Sequence, residues 1–247
     1  MRLTVLGGCG AWPDAGQACS GYLVEHDGFR LLVDPGYATL PRLLHLTTAD
    51  RIDAVYVSHG HPDHCADLHP LLRARTMTDT PAAPLPVYAL PGALEAVLRL
   101  DRPGLLDAAY VLHEFTPGSV LDIGPFGAET RLLPHSVPNA GLRLTAGDHV
   151  LAYTGDTGPS PELARLARDA DLLLADASFV DRVPADAQAH LFSARQAGRV
   201  AADAGAGRLL LTHLLPGTDP AAALDAAGGQ YDGPIGVATA DVTADLP

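Results

Sequence analysis

Lysine is absent from this chain of 247 residues, and cysteine and aromatic residues are scarce. All 16 basic residues are therefore arginines, and against 29 acidic residues they leave a formal net charge of −13. Affinity for a nucleic-acid backbone comes largely from lysine and arginine contacts to phosphates, so this balance disfavours extended nucleic-acid binding. The three cysteines, Cys9, Cys19 and Cys65, include no CxxC pair. We therefore expect reduced, packed thiols rather than a disulfide framework.

Long hydrophobic runs are missing as well. No apolar run approaches the roughly 20 residues that a membrane-spanning helix needs. The first 13 residues hold only a short apolar stretch interrupted by Thr4, which is too short for the core of a signal peptide. We therefore expect a cytoplasmic protein with no membrane partner.

The remaining pattern mixes two kinds of secondary structure. Short β-type runs bounded by glycine or proline predict strands over residues 3–6, 22–25, 29–33 and 54–58. Alanine- and leucine-rich stretches with helical spacing predict helices over residues 39–46, 66–75, 92–100, 161–169, 193–204 and 220–227. Ser193, with Gln196 three positions later, has the spacing of a capping box at a helix start. Turn residues between 109 and 155 indicate an antiparallel meander. We interpret residues 1–247 as one α/β domain.

One loop carries a dense set of metal-ligand side chains. Residues 58–68 read SHGHPDHCADL and place His59, His61, Asp63 and His64 in six positions directly after a predicted strand. Imidazole and carboxylate groups are the ligands of zinc and similar divalent metals. Pro62 biases His61 away from helical geometry and should keep the loop extended until a helix starts near His64. The density favours a metal site over a merely polar loop.

Three later residues stand at the ends of strand-like runs. They are His135 in RLLPHSV, Asp156 in LAYTGDTG and His213 in RLLLTHLLPG. Apolar strands that each end in one ligand-type residue can gather distant sequence positions at one rim of a layered fold. With the first motif present, we expect these residues to join the same site.

These motifs, together with LTVLG at 3–7 and LLVDPG at 31–36, resemble the metallo-β-lactamase superfamily of binuclear metallohydrolases. The resemblance implies an αββα sandwich with two divalent metals at the edge of its sheets, with zinc expected and Mn²⁺ or Fe²⁺ also suited to the donors. It implies one metal on His59, His61 and His135, and the other on Asp63, His64 and His213, with Asp156 bridging them. Asp34 would support the ligand loop without touching metal.

Two further motifs are similar to the ribonuclease Z-like branch of that superfamily. They are DLLLADASF at 171–179 and AHLFSARQAG at 189–198. The resemblance implies that Asp176 and His190 assist phosphodiester cleavage beside Asp63. His190 would protonate the leaving ribose oxygen, and Asp176 would orient its imidazole. Members that process tRNA usually have glutamate where Asp176 stands.

Length and charge argue against tRNA as the substrate. Only 21 positions separate His135 from Asp156, which leaves no room for the long arm of the tRNA-processing enzymes. The region from His190 to Gly217 resembles compact bacterial phosphodiesterases. We therefore expect hydrolysis of small phosphodiesters, with cyclic nucleotides such as cyclic AMP in first place, by a hydroxide shared between the two metals.

The same residues are also compatible with other functions. The site could serve a tRNA 3′-processing-type endoribonuclease that lacks the usual arm, or a lactone, ester or β-lactam hydrolase, for which His190 would be dispensable. A metal-binding scaffold or sensor is a third class. A homodimer is expected only because dimers are the commonest soluble oligomers.

Overall fold

Two β-sheets pack face to face in the computed structural model, which describes residues 1–246. The strands in chain order are β1 (Arg2–Cys9), β2 (Ala18–Cys19), β3 (Gly21–His26), β4 (Phe29–Val33), β5 (Ala54–Tyr56), β6 (Leu85–Ala89), β7 (Tyr110–Glu114), β8 (Val120–Ile123), β9 (Phe126–Leu133), β10 (Asn139–Ala146), β11 (His149–Tyr153), β12 (Leu172–Asp176), β13 (Leu209–Thr212), β14 (Ile235–Val237) and β15 (Thr243–Asp245).

Each sheet is antiparallel at one end and parallel at the other. The first has the order β15-β1-β3-β4-β5-β6-β7, with β2 paired to β1. In it β15, β1, β3 and β4 pair antiparallel, and β4 to β7 pair parallel. The second has the order β14-β13-β12-β11-β10-β9-β8, antiparallel from β8 to β11 and parallel from β11 to β14.

Seven helices are described with the sheets. They are α1 (Thr39–Leu46), α2 (Pro62–Cys65), α3 (Leu68–Thr76), α4 (Glu95–Leu98), α5 (Glu162–Leu166), α6 (Ala194–Ala204) and α7 (Pro220–Gly228), and a 3₁₀ turn covers Ala49–Arg51. Helices α1, α3 and α4 pack on the outer face of the first sheet, and α5, α6 and α7 on the second. Within residues 1–246 we find no helix with the length and apolar character to cross a membrane.

Three hydrophobic layers hold these elements together. Side chains of both sheets, such as Tyr22, Phe126 and Leu142, form the central layer. Two outer layers join each sheet to its helices. This arrangement is the expected αββα sandwich. The three cysteines are buried free thiols, as predicted.

The sequence predicted some elements better than others. Helix α1 has the predicted bounds, and Ser193 caps α6 with the full capping box to Gln196. The helix predicted over 92–100 forms only over Glu95–Leu98, because Gly92 has a φ of 75°, and the helix predicted over 161–169 ends at Leu166, before Asp169 at 49°. The meander begins at β8 rather than near residue 109, because β7 pairs parallel to β6 in the first sheet.

Candidate metal centre

Six strands end at one edge of the sandwich, and each is followed by or ends in a polar side chain there. These side chains are Asp34 after β4, His59 after β5, His135 after β9, Asp156 after β11, Asp176 at the end of β12 and His213 after β13. In layered α/β folds, ligands commonly bind outside the carboxyl ends of the strands. Side chains from several strands meet there, as they do in this chain. The backbones of Asp34 and His213 have φ values of 49° and 59°, a region that residues other than glycine seldom adopt and that marks functional sites.

The loop after β5 carries four of the predicted ligands. His61 is extended, with φ of −70° and ψ of 142°, and Pro62 is the first residue of α2. Helix α2 therefore begins two residues before His64, the predicted start, because proline is tolerated at the first helical position, where its missing N–H is not needed. As a result Asp63 and His64 lie in a helical turn, whereas His59 and His61 precede it.

The first ligand cluster consists of His59, His61, His135 and Asp156, with one ligand atom from each residue within 4.8 Å of the others. Nδ1 of His61 lies 3.1 Å from Nε2 of His59 and 3.1 Å from Nε2 of His135. Oδ2 of Asp156 lies 3.8 Å from the Nε2 atoms of His59 and His135. Atoms that each lie about 2.0–2.2 Å from one ion have such mutual spacings.

The second cluster consists of Asp63, His64, Asp156 and His213, all buried. Nε2 of His213 lies 3.2 Å from Oδ2 of Asp63 and 3.2 Å from Oδ2 of Asp156. Nε2 of His64 lies 3.2 Å from Oδ1 of Asp156. The structure thus brings all seven predicted ligands together in the two predicted sets, and Asp156 belongs to both.

Hydrogen bonds on the far side of the imidazole rings fix which nitrogen faces the cluster. Nδ1–H of His64 donates to Asp34 at 2.8 Å, and Nδ1–H of His135 donates to the His190 carbonyl at 2.8 Å. Nδ1 of His213 lies 2.8 Å from the hydroxyl of Ser178. Because Nδ1 carries the proton in these rings, the Nε2 lone pairs point into the cluster, as metal binding requires.

Asp34 supports the ligand loop, as the resemblance implied. Its carboxylate accepts hydrogen bonds from the backbone and hydroxyl of Ser58, at 2.7 and 2.6 Å, and from the hydroxyl of Tyr153 at 2.7 Å. Together with the bond from His64, these contacts satisfy a fully buried carboxylate. Asp34 therefore orients the loop and lies one step away from the cluster.

Two buried atoms of the clusters lack hydrogen-bond partners among the described residues. They are Nε2 of His64 and Oδ1 of Asp156. Buried polar atoms are nearly always satisfied, and leaving one unpaired costs about 1–3 kcal/mol. Both atoms face the other ligands, so a cation at this position would supply the missing partner. The two clusters therefore fit a dinuclear metal site.

Asp176 lies beside His213, and its predicted orientation of His190 stays a prediction. Its carboxylate accepts from the hydroxyl of Ser178 at 2.7 Å and from the backbone of Thr157 at 3.1 Å, and it lies 3.8 Å from Nδ1 of His213. Neither a hydrogen bond nor an ion pair joins Asp176 to His190 within residues 1–246. Asp176, at the end of β12, pairs in register with Thr212 of β13, the residue before His213.

His190 lies at the rim of the centre. Its side chain is exposed, and its carbonyl holds His135 in place. The structure thus places His190 next to a predicted ligand of the first cluster. Its action as a proton donor stays a prediction.

Charge in the cluster is distributed over several groups. Burial alone would lower the pKa of His64, but the negative charge of Asp156, together with the hydrogen bond to Asp34 and the charge of Asp34, raises it well above its ordinary value. Burial would also lower the pKa of His213, and Asp156 and Asp63 reverse that effect. For Asp63, burial favours protonation, but the hydrogen bond from His213 and the charge of His64 bring the pKa below its usual range. These carboxylates therefore favour positive charge in the cluster, whether it is carried by a proton on an imidazole or by a bound cation.

Burial raises the pKa of Asp176 to about 7, and the nearby negative charge of Asp156 contributes to the shift. A carboxyl group with that pKa can hold or release a proton near neutral pH. The hydroxyl of Ser178 lies between this carboxyl group and the ring of His213, at 2.7 Å from the carboxyl oxygen and 2.8 Å from Nδ1 of the ring.

Sequence reasoning missed several supporting residues. Ser178 bridges Asp176 and His213, and Tyr153 bonds to Asp34. Asn139 donates from its amide to the carbonyls of Thr154 and Asp156 at 2.9 and 2.7 Å and so holds the loop of the shared ligand. Only Ser178 had a usable sequence signal, since it lies two positions after Asp176 in a strand-end motif.

A dinuclear histidine and aspartate site at the edge of an αββα sandwich defines a metallohydrolase. The family model described as a beta-lactamase superfamily domain matches residues 29–214, more than half of the chain. The chain belongs to this superfamily and has the metallo-β-lactamase fold, as the sequence resemblance indicated.

Relatives of known name agree with this assignment. The chain is 35% identical over 221 residues to the probable metallo-hydrolase YhfI of Bacillus subtilis, covering 87% of each. The crystal structure of YhfI matches with a TM-score of 0.90 and 31% identity over 98% of both chains. A ribonuclease Z of Myxococcus xanthus is 28% identical over 302 residues, covering 100% of this chain and 98% of that protein.

Proposed function

We propose that this metallohydrolase is a phosphodiesterase that acts on small phosphodiesters, and that cyclic nucleotides such as cyclic AMP are its substrates. The observation that carries the proposal is the position of Asp156, which belongs to both ligand clusters. Such a shared carboxylate holds two cations close together, and paired cations are the usual apparatus for in-line displacement at phosphorus. The similarity to a ribonuclease Z, whose name denotes action on RNA, supports phosphodiester chemistry.

His59, His61 and His135 would hold one cation, and Asp63, His64 and His213 the other. Zinc suits these nitrogen and oxygen donors, and manganese or iron would also fit. When bound, two such cations neutralise charge on the phosphoryl group and lower the pKa of water.

The chain's own groups have separate tasks in the proposed reaction. The hydrogen bond from His213 and the charge of His64 keep Asp63 ionised, and the backbone N–H of Ala11 donates to its Oδ2 at 2.9 Å and holds it in position. His190, at the rim next to His135, would donate a proton to the departing ribose oxygen. Proton donation by a positioned side chain contributes about 10²–10⁴-fold to a rate.

The fold between His135 and Asp156 supports a small substrate. The hairpin of β10 and β11 fills this segment. Most of its residues are therefore used in the sheet, and no protruding arm for tRNA is present in this part of the described chain. The net charge of −13 also disfavours a polyanion.

The test is hydrolysis of cyclic AMP by protein that has been stripped of metal and reloaded with zinc or with manganese. Formation of the linear monophosphate is followed by chromatography, with a chelator and the variant Asp156→Asn as controls. We expect product from the loaded protein, and none with the chelator or the variant. If the loaded protein binds metal but leaves cyclic AMP intact, the proposal is wrong, and esters, lactones and short RNA are the next substrates to assay.

A further inference from the structure

A cleft of about 620 Å³ lies beside the metal centre. Its lining includes Leu132, Pro134, Val137 and Pro138, together with the polar residues Ser136 and Ser160. Binding sites for small organic molecules typically have such a volume and combine apolar walls with a few polar groups. The cleft thus has the character of a site for a flat, mostly apolar ring.

His135 connects this cleft to the metal centre. The residue lines the cleft, and its Nε2 lies 3.1 Å from Nδ1 of His61 within the first cluster. His61 and His135 are also the half-buried members of that cluster, whereas His59 and Asp156 are buried. A phosphoryl group held at the first cluster therefore lies next to the cleft.

Leu132 is an exception to the pattern of its strand. Most apolar side chains of β9 are buried, but Leu132 is 55% exposed and forms part of the cleft wall. Its aliphatic side chain can be covered by a bound ring, which removes apolar surface from water. The proline rings of Pro134 and Pro138 are rigid and offer further apolar contact without loss of side-chain entropy.

We propose that this cleft binds the nucleobase of the substrate while the phosphodiester lies at the metal centre. The inference rests on the proposed function, because it assumes that the substrate is a nucleotide. Leu132 and the two prolines contact the faces of the base, and the serine hydroxyls face its polar edge. Apolar walls with few polar groups should accept purines more tightly than pyrimidines, because the larger ring covers more apolar surface.

Contact with the base is the same before and during cleavage, since the base does not react. Loss of such uniform binding raises KM and leaves kcat unchanged. The kinetic signature of the cleft is therefore distinct from that of a residue that acts on the phosphoryl group.

The first experiment compares Leu132→Asn with Val120→Asn, a matched variant. Val120 is an exposed residue on the adjacent strand β8 and does not line the cleft. Both variants replace an exposed apolar side chain with the same uncharged polar one, so both should fold. We expect Leu132→Asn to raise KM for cyclic AMP by about 10-fold at unchanged kcat, and Val120→Asn to leave KM unchanged.

The second experiment measures binding without turnover. Calorimetry of the zinc-loaded protein compares adenosine 5′-monophosphate with ribose 5-phosphate, which lacks the base. We expect Leu132→Asn to weaken binding of the nucleotide by about 10-fold and to leave binding of ribose 5-phosphate unchanged. This result would stand even if the protein did not hydrolyse cyclic AMP, so failure of the proposed function can be told apart from failure of this inference.

A tryptophan near the Asp63 side of the centre offers a different contact for the base. Trp12, the only tryptophan, is 55% exposed and follows Ala11, which bonds to Asp63. If Trp12→Ala rather than Leu132→Asn raises KM, or if adenosine 5′-monophosphate quenches tryptophan fluorescence, the base lies on that flank and the inference is wrong. Equal loss of both ligands in Leu132→Asn would likewise overturn it.

Discussion

Single hydrogen bonds determine which ring nitrogen of three imidazoles faces the ligand clusters. His64, His135 and His213 each use Nδ1 to contact a group outside the clusters, and those groups are a carboxylate, a carbonyl and a hydroxyl. Ser178 is the most informative, because its hydroxyl donates to Asp176 and so must accept from His213. A ligand ring is thereby fixed by a serine that carries no metal-binding group of its own.

Replacement of Ser178 by alanine should weaken metal binding. Without the hydroxyl, Nδ1–H of His213 and the buried carboxylate of Asp176 both lose a partner, and loss of such support typically lowers metal affinity by about 10- to 100-fold. Zinc affinity measured by competition with a chromophoric chelator checks this. Ser119→Ala is the control, since the Ser119 hydroxyl bonds only to a turn carbonyl. Equal zinc affinities in the two variants would contradict the assigned role.

His190→Ala should keep both metals and lose turnover. The side chain is exposed and lies outside both clusters, whereas the contact to His135 is made by the backbone carbonyl, which the substitution retains. We expect kcat for cyclic AMP to fall by about 10²-fold or more, with metal content by elemental analysis unchanged. Normal turnover of cyclic AMP by this variant would remove His190 from the mechanism.

Metal affinity should increase with pH through the neutral range. Despite burial, the carboxylates around His64 and His213 raise the pKa values of both rings. A raised pKa keeps each ring protonated to a higher pH than usual, and an incoming cation must displace that proton, so binding weakens as pH falls. Zinc titrations at about pH 6, 7 and 8 would measure the trend. Affinity that does not change over this range would show that the rings are already neutral.

At the residue scale, the sequence predicted the ligands better than their supports. His59, His61, Asp63 and His64 occupy one loop, so their proximity is a local property. The partner of Asp176 is not local, because it depends on which strand pairs with β12 and where that strand ends. That is why its side chain meets Ser178 and His213 rather than His190.

At the scale of secondary-structure elements, the sequence predicted the structure correctly where a few neighbouring residues determine it. The capping box of α6 is complete in four residues, from Ser193 to Gln196, and the helix begins where it predicts. Strand β7 shows the opposite case. Its sequence alone does not indicate which sheet it joins, and the structure pairs it parallel to β6 at the edge of the first sheet.

The capping box gives a stability prediction. Ser193→Ala removes the hydroxyl that accepts from the backbone N–H of Gln196, and loss of such a cap typically costs about 1 kcal/mol of unfolding free energy. Urea denaturation measures the change, and Ser193→Thr, which keeps a hydroxyl, should restore most of it. A destabilisation of the same size in both variants would mean that packing around the fully buried Ser193, and not the cap, is responsible.

For the whole molecule, the αββα order followed from a resemblance and not from periodicity. The runs of apolar residues identified strands and helices, but two sheets of this size allow many strand orders. The structure fixes one order in which β4, β5, β9, β11, β12 and β13 end at the same edge. This order brings His135, Asp156 and His213 to the loop of residues 59–64, from which they are separated by 71 to 154 positions in sequence.

Activity as a function of bound metal tests the central claim most directly. Metal-free protein is titrated with zinc, and in parallel with manganese, while formation of the linear monophosphate from cyclic AMP is recorded at each ratio of metal to chain. Because Asp156 joins two ligand sets, we predict that the rate rises to a plateau at two metals per chain. A plateau at one metal per chain, or metal uptake with no product at any ratio, would contradict a dinuclear phosphodiesterase.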